Sequence, residues 1–452
     1  MASLTFAQQR KSLLSSQARI QVPWVKVTIG TYTFGIFTKE GRQKNSQNMY
    51  QSFKIQYPNF IESLQVEKIN GQVNQYTLSI KYPVTATGDP NFFEKVFSSV
   101  SKTRKIVFSY GDAAQPSYIY KKEEAIITKV TQTFNFGNGG TSGSVIGYTI
   151  NAVSGAALGS AGNYSFMGKH AKPSDEIKKI FRNSNYGLQN LFTGMPLDKL
   201  DYFIAGGDKE VELSAKLNIS ALDYINYLVG CMIPAGASTA QTSKDIYILT
   251  IHDDTTLDRA YADRIVIDNQ EVTGPYFKVT KISYNKKQAD AYELDIGYNT
   301  STLITDFQIS QKENYSLFYD YENLLHPESY QKKLNDNGEY EDIYAPTVSS
   351  KNNEFKTRPE DITWWTKITK YPISASVTVQ GLLRPAQLMT YLRLNIIFPG
   401  GHKHISSGLY LITKQTDVLN AQGYRTTLGL TKISGDEEGP EVLENAYQNL
   451  NY

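Results

Sequence analysis

The chain has 452 residues, 46 Lys plus Arg against 44 Asp plus Glu, a formal net charge of +2, and 40% hydrophobic and 20% charged residues. This composition excludes disorder as a description of the whole chain, and the near-balanced charge gives no reason to expect a protein that coats nucleic acid, so any contact with DNA would have to be local. The length predicts about two to four domains.

Cys231 is the one cysteine, so no intrachain disulfide forms, and its apolar setting reads as core rather than as a nucleophile. The start MASLTFAQQRKSLLSSQ lacks the apolar run of a signal peptide. No stretch reaches the roughly 20 apolar residues of a membrane span. The expectation is a chain without membrane insertion that folds in a reducing cytosol. Tyrosine is abundant, 32 against 20 Phe and 3 Trp. Its ring packs while its hydroxyl stays hydrogen-bonded, which favours half-buried strands and wet interfaces.

Residues 1–20 are polar and read as an N-terminal arm. Order begins near Trp24, and alternation through Val25, Val27, Ile29, Tyr32 and Phe34 predicts a hairpin. Alternation at Phe53 and Ile55, Leu64 and Val66, then Tyr76, Leu78 and Ile80 extends it into a sheet or barrel over 21–165. One helix interrupts it over 90–101, capped by Asp89 with Pro90 at the first position and Phe93, Val96, Phe97 and Val100 on one face. Strands resume over 106–110, 118–120, 125–136 and 144–152. The glycines of 137–143 read as a hairpin tip, and those of 155–162 as a small-residue linker.

From 166 to 309 the pattern is α+β. Ser174 is the expected cap of a helix with Asp175 and Glu176 in its first turn and Ile177, Ile180 and Phe181 buried. Ser220 and Asp223 form a variant capping box ahead of Leu222, Ile225, Leu228 and Val229. Strands are predicted over 211–217, 246–251, 264–267, 276–284 and 291–298. Residues 310–360 are a polar insertion or linker. Over 361–435 order resumes at Trp364 and Trp365, and Val377, Leu392, Leu394, Leu411, Leu428 and neighbours alternate as a second all-β domain. Residues 436–452 form an acidic tail, expected with 310–360 to order mainly through partners.

A catalytic centre needs convergent groups, and only His170, His252, His326, His402 and His404 are available as histidines. His402 and His404 would share a face of a strand and supply half a metal site, but no nearby Cys or repeated carboxylate completes it, so they read as surface residues of a glycine-rich turn. His252, Asp253, Asp254 and Asp258 form the densest acidic cluster, without the spacing or glycine of a calcium loop, and read as a solvated turn. The 137–143 loop lacks a Gly-Lys-Ser/Thr ending, and Gly168-Lys169 is followed by His170, so neither is a phosphate loop. No nucleophile elbow is present. The chain therefore reads as a non-enzyme with no catalytic, cofactor-binding or metal residues and no cofactor.

Three segments follow closely near the C-terminus: Asn395-Ile396-Ile397-Phe398-Pro399-Gly400, then Ser407-Gly408-Leu409-Tyr410-Leu411-Ile412-Thr413-Lys414, then Gly423-Tyr424-Arg425-Thr426-Thr427-Leu428-Gly429-Leu430. Over 390–432 they resemble the closing barrel of the phage baseplate hub family, found in contractile tails and related injection machines. There a strand ends in a Pro-Gly turn, a Ser-Gly-x-Tyr-x-Ile strand follows, and the last strand carries a Thr-x-Leu-x-Leu ladder. Asp208-Lys209-Glu210-Val211, the run from Leu222 to Leu228 and the run from Asn299 to Phe307 are similar to other hub passages.

The resemblance implies an α+β, predominantly β chain in which two tube-like antiparallel β-barrel domains flank a smaller α+β domain. It also implies a homotrimer in the virion tail, assembled in the host bacterial cytoplasm. One face would meet the sixfold tail tube or a distal tail protein, and the other the threefold spike or a tail-tip protein. DNA would pass through the channel at ejection without specific binding. The N-terminal region departs from the family in being larger than a minimal barrel. A tail-associated lysin platform, another tube or adaptor protein, and a secretion-machine spike are the alternatives.

Overall fold

The computed structural model describes residues 23–37, 54–84, 89, 91–98, 104–112, 120–135, 144–235, 245–252, 266–267, 270–272, 275–283, 292–297, 304–311, 373–380, 388, 391–398, 403–404 and 406–434. The expected arm, the 310–360 insertion apart from the end of one strand, the 137–143 tip, the acidic tail, Trp364, Trp365 and Val100 lie outside them. The described residues are predominantly β, as the alternation requires.

The N-terminal part runs β1 (Pro23–Ile29), β2 (Tyr32–Phe37), β3 (Tyr57–Pro58), β4 (Ile61–Ile69), β5 (Gln75–Val84), helix α1 (Phe92–Ser98), β6 (Lys105–Asp112), β7 (Tyr120–Asn135) and β8 (Ser144–Ser154). Asp89 tethers the start of α1, its carboxylate accepting from Asn91 N at 2.9 Å, and Phe93 and Val96 are fully buried. Phe93 lies 4.4 Å from Tyr148 and 5.4 Å from Phe34, so the helix plugs the sheet with aromatic edges and faces.

The central part holds β9 (Tyr164–Phe166), β10 (Lys169–Ala171), α2 (Pro173–Arg182), α3 (Leu188–Leu191), β11 (Val211–Leu213), β12 (Lys216–Ile219), α4 (Ala221–Gly230), β13 (Asp245–His252), β14 (Val266–Ile267), β15 (Gln270–Glu271) and β16 (Tyr276–Ser283). The capping box forms as expected: Ser220 Oγ accepts from Asp223 N at 3.0 Å and donates to the Asp223 carboxylate at 2.5 Å. Two local expectations change. Residues Gly155–Ser160 are a 3₁₀ helix rather than a linker, with Ser154 accepting from Ala156 N at 3.1 Å. Ser174 is not the cap of α2, because Pro173 already starts the helix; its N–H and hydroxyl instead donate to the buried Asp208 carboxylate at 2.9 and 2.5 Å. Proline has no N–H to be capped, so the first free donor lies one residue further on.

The C-terminal part comprises β17 (Tyr292–Gly297), β18 (Ile304–Gln311), β19 (Ile373–Gln380), β20 (Tyr391–Ile397), β21 (Gly408–Asn420) and β22 (Gly423–Ser434). The sequence reading places 291–309 with the central part, but β17 pairs with β20 and β18 with β19. Leu294 and Ile296 accordingly pack with Val377, Leu394, Tyr410 and Leu428 in the C-terminal core. The β17–β20 pairing is parallel, as is β2–β3, so the sheet is mixed rather than wholly antiparallel.

The decisive feature is that both β-rich parts belong to one 14-stranded sheet, with the central pairing order β22-β21-β4-β5. β21 is long enough to serve both. Its first residues, Gly408 to Leu411, pair with β20, and its last, Lys414 to Asn420, pair with β4 from Ile69 to Ser63. Leu419 and Tyr424 thereby enter the N-terminal core beside Leu64, Leu78 and Ile150. That end of the sheet also curls back: β3 pairs with β2 and joins β4 through Asn59 (φ 67°) and Phe60, while β1 comes within 8 Å of β21, Cα to Cα.

At the end of β17, Gly297 has φ +101°, and a Cβ there would lie 2.2 Å from the Ile397 carbonyl oxygen. Neither the dihedral nor the backbone contact can relax cheaply. Gly297→Ala is expected to cost about 2–4 kcal/mol, read as a lower urea midpoint; an unchanged midpoint would contradict this packing.

Candidate functional site

The place where β21 meets β4 gathers several of the buried polar side chains found among the described residues. Along β21, Gln415, Asp417 and Leu419 are buried in phase and point into the N-terminal sheet's interior. Asp417 lies opposite Val66 on β4 and Thr426 on β22, and Gln415 opposite Lys68. The Gln415 side-chain amide donates to both Asp417 oxygens, at 3.1 and 2.9 Å, and the Thr426 hydroxyl donates at 2.6 Å. A carboxylate taken from water needs such donors, and here neutral groups supply them.

A second carboxylate enters from β7. Glu123 is fully buried, in phase with Ala125 and Ile127, and sits opposite Phe108 on β6. Lys68 reaches it, Nζ to Oε1 at 2.6 Å. Tyr76 stacks on Phe108 at 4.8 Å, which spans the interior from β5 to β6. Burial, and then the Glu123 and Asp417 charges, holds the Tyr110 hydroxyl well above its ordinary value, and burial followed by Asp417 does the same for Tyr424. Both phenols therefore stay protonated at any physiological pH. The joint is an ion pair, a hydrogen-bonded carboxylate and neutral hydroxyls, which can hold strands in register.

Of the residues singled out from sequence, His170, Cys231, His252 and His404 are among the described residues. His402, Asp253, Asp254, Asp258 and His326 lie outside the described residues. His404 shapes a turn: its Nδ1 accepts from Ser406 N at 3.2 Å and its carbonyl from Ser407 N at 2.8 Å, and its ring meets Phe398 edge-on at 5.7 Å. His252 stacks on Tyr276 at 4.5 Å with Nε2 3.0 Å from Thr250 Oγ1. Burial, then Lys278 and Lys68, pushes His252 down to about 3, so it stays neutral. His170 is exposed, 3.4 Å from Glu210, and Cys231 is buried at the end of α4. Lys169 pairs with Glu176, and a Cβ on Gly168 would press on the β11–β12 backbone. Among the described residues, no three His, Cys, Asp or Glu side chains gather as a metal-binding group.

A tail protein from Neisseria meningitidis MC58 aligns with a TM-score of 0.44 at 10% identity, over 91% of this chain and 96% of that one. The 43 kDa tail protein of prophage MuSo2 from Shewanella oneidensis aligns at 0.46 with 9% identity, over 90% and 96%. The chain is structurally similar to phage tail proteins. The c3393 protein of E. coli, a type VI secretion component described as similar to the T4 tail proteins gp27 and gp5, aligns at 0.36 with 9% identity, over 82% and 73%. No protein-family model and no curated protein matches the sequence.

The joint was missed from sequence because charged residues in strands read as solvent-facing. A signal was present nonetheless: Asp417 keeps phase with Leu419, Glu123 with Ala125 and Ile127, and Lys68 with Leu64 and Val66.

Proposed function

We propose that this chain is a structural, non-catalytic hub of a phage tail baseplate, joining the sixfold tail tube to the threefold central spike as a homotrimer. The observation that carries the reading is the shared strand β21, which fuses two β-rich units into one hydrogen-bonded sheet. An adaptor under load needs its two binding units held at a fixed spacing, and a continuous ladder resists sliding better than a linker. The curl of the N-terminal strands supports a barrel there, and the C-terminal strands around Val377, Leu394 and Leu428 supply the second. Three chains of two barrels present six tube-like units to one neighbour and three equivalent faces to the other, in a closed ring.

The Ser407-Gly408 start and the Thr426, Leu428, Leu430 ladder, which carry the resemblance to hub proteins, lie in the strand pair that makes this joint. The channel of such a ring would pass DNA without gripping it, which the near-balanced charge suits. A place in the virion tail, with tube or distal tail protein on one side and spike or tail-tip protein on the other, belongs to the same reading. Native mass spectrometry of the purified chain and a symmetry-free reconstruction of the tail should show three copies. Six copies per ring would transfer the chain to the tube, and wall clearing in zymography would favour the lysin platform.

A further inference from the structure

We infer that the central α+β unit carries two unlike docking patches, Met167 with Leu217 on one side and Leu197 with Tyr202 on the other, and that each receives the opposite patch of a neighbouring copy of this chain. Both lie within the unbroken described stretch 144–235. The first sits on a bent ribbon in which β9 and β10 run against β12 and β11. Phe166 pairs with Lys216 and the pair faces inward, where Phe166 stacks on Tyr224 at 3.8 Å and Lys216 Nζ lies 4.4 Å over the Tyr227 ring.

Alternation turns the next residue on each strand, Met167 and Leu217, outward as diagonal neighbours. They keep 79% and 71% of their surface, the two highest values for large apolar side chains among the described residues. Leu217 opens a bulge, and Asn218 beside it takes a left-handed φ of +54°. Bulges re-aim side chains, and a strained residue persists only where its surroundings hold it, so the ribbon presents Leu217 in a fixed direction.

The second patch lies on the 3₁₀ turn Leu197–Tyr202, which leaves Leu197 43% and Tyr202 53% exposed, with Asp198 and Asp201 between them. Helix α2 separates this turn from the ribbon. Its Glu176 pairs with Lys169 of β10, while Lys178, two residues on, pairs with Asp201 at 2.5 Å. Side chains two apart on a helix point about 200° away from each other, so ribbon and turn flank α2 on opposite sides. One copy cannot bring its own two patches together, whereas a neighbour can supply the second.

Charge favours the unlike pairing. Lys216 is the ion next to Leu217 and Asp198 the ion next to Leu197, so like patches would oppose equal charges and unlike patches opposite ones. A contact between unlike patches on opposite sides is heterologous, and rotation closes it into a ring.

This contact rests on the trimeric ring proposed above and names a surface that closes it. Charge exchange in the full chain tests it, with copy number read by native mass spectrometry over a concentration series. Lys216→Glu, Asp198→Lys and Leu217→Asp should each raise the concentration at which rings form by about tenfold or more. The double variant Lys216→Glu with Asp198→Lys restores opposite charges and should recover most of that loss. Lys216→Glu also gives up the Tyr227 contact, so Asp198→Lys and Leu217→Asp, both at exposed sites, decide if that chain does not fold. Three-copy rings forming at the parent concentration in those two variants overturn this contact and leave the hub reading standing. A folded double variant that recovers nothing overturns the pairing of these two patches. A parent chain that forms no ring overturns both readings.

Discussion

Glu123→Ala should lower stability by about 3 kcal/mol, because it removes a buried carboxylate that lies 2.6 Å from the ammonium of Lys68, whose side chain is only 16% exposed. The size of the loss comes less from the attraction than from the charge left behind. The pair gains Coulomb energy but gave up hydration on both ions, so a well-packed apolar pair can replace it at little net cost. The double variant Glu123→Met with Lys68→Met should therefore recover most of the deficit. Urea midpoints of parent, single and double variants form the cycle. A double variant that loses as much as the Glu123→Met and Lys68→Met variants lose together would mean that the residues act independently and that the joint is not electrostatically coupled.

Ending the chain after Phe398 should prevent the N-terminal strands from folding cooperatively, even though none of β1 to β8 is touched. The deletion removes β21 from the edge of β4 and takes Leu419 and Tyr424, 1% and 2% exposed, out of the N-terminal core. Emptying two such sites costs about 2–5 kcal/mol each, against a whole-domain stability of about 5–15 kcal/mol. Asp417 leaves as well, so Lys68 and Glu123 remain beside a gap. The central α+β unit has its own core around Ile177, Phe181, Ile225 and Phe277 and should keep a separate melting transition. Near-ultraviolet circular dichroism of the shortened chain, with its many tyrosines, gives the readout. A sharp N-terminal transition at the parent temperature would show that β21 is an accessory.

Strand existence was legible in the sequence wherever one face is buried, since alternation at Tyr76, Leu78 and Ile80, or at Val377 and Val379, has no other simple cause. Partners were not legible. Leu294 and Ile296 mark β17 as a strand, yet nothing in those residues says that it pairs with β20, a hundred positions away, rather than with its neighbours in the chain. The two helix starts make the same point. Ser220 and Asp223 are three apart, so the cap could be read locally, whereas Ser174 answers to Asp208, 34 residues on. The polar joint was not readable either, because its members come from β4, β7, β21 and β22 and meet only after the sheet has formed.

The sharing of β21 also sets a timetable for synthesis. The ribosome emits β4 long before β21, so the edge of β4 waits for its proper neighbour while the strands and helices between them are made. Contacts so distant in sequence close late and slowly. During that interval a nascent chain exposes a pairing edge next to the core positions that Leu419 and Tyr424 will fill, which is the condition under which unfinished β proteins capture one another. Neighbouring copies on one messenger would be the first candidates for such capture, and yield should therefore depend on translation rate and chaperone supply more than on the stability of the finished fold.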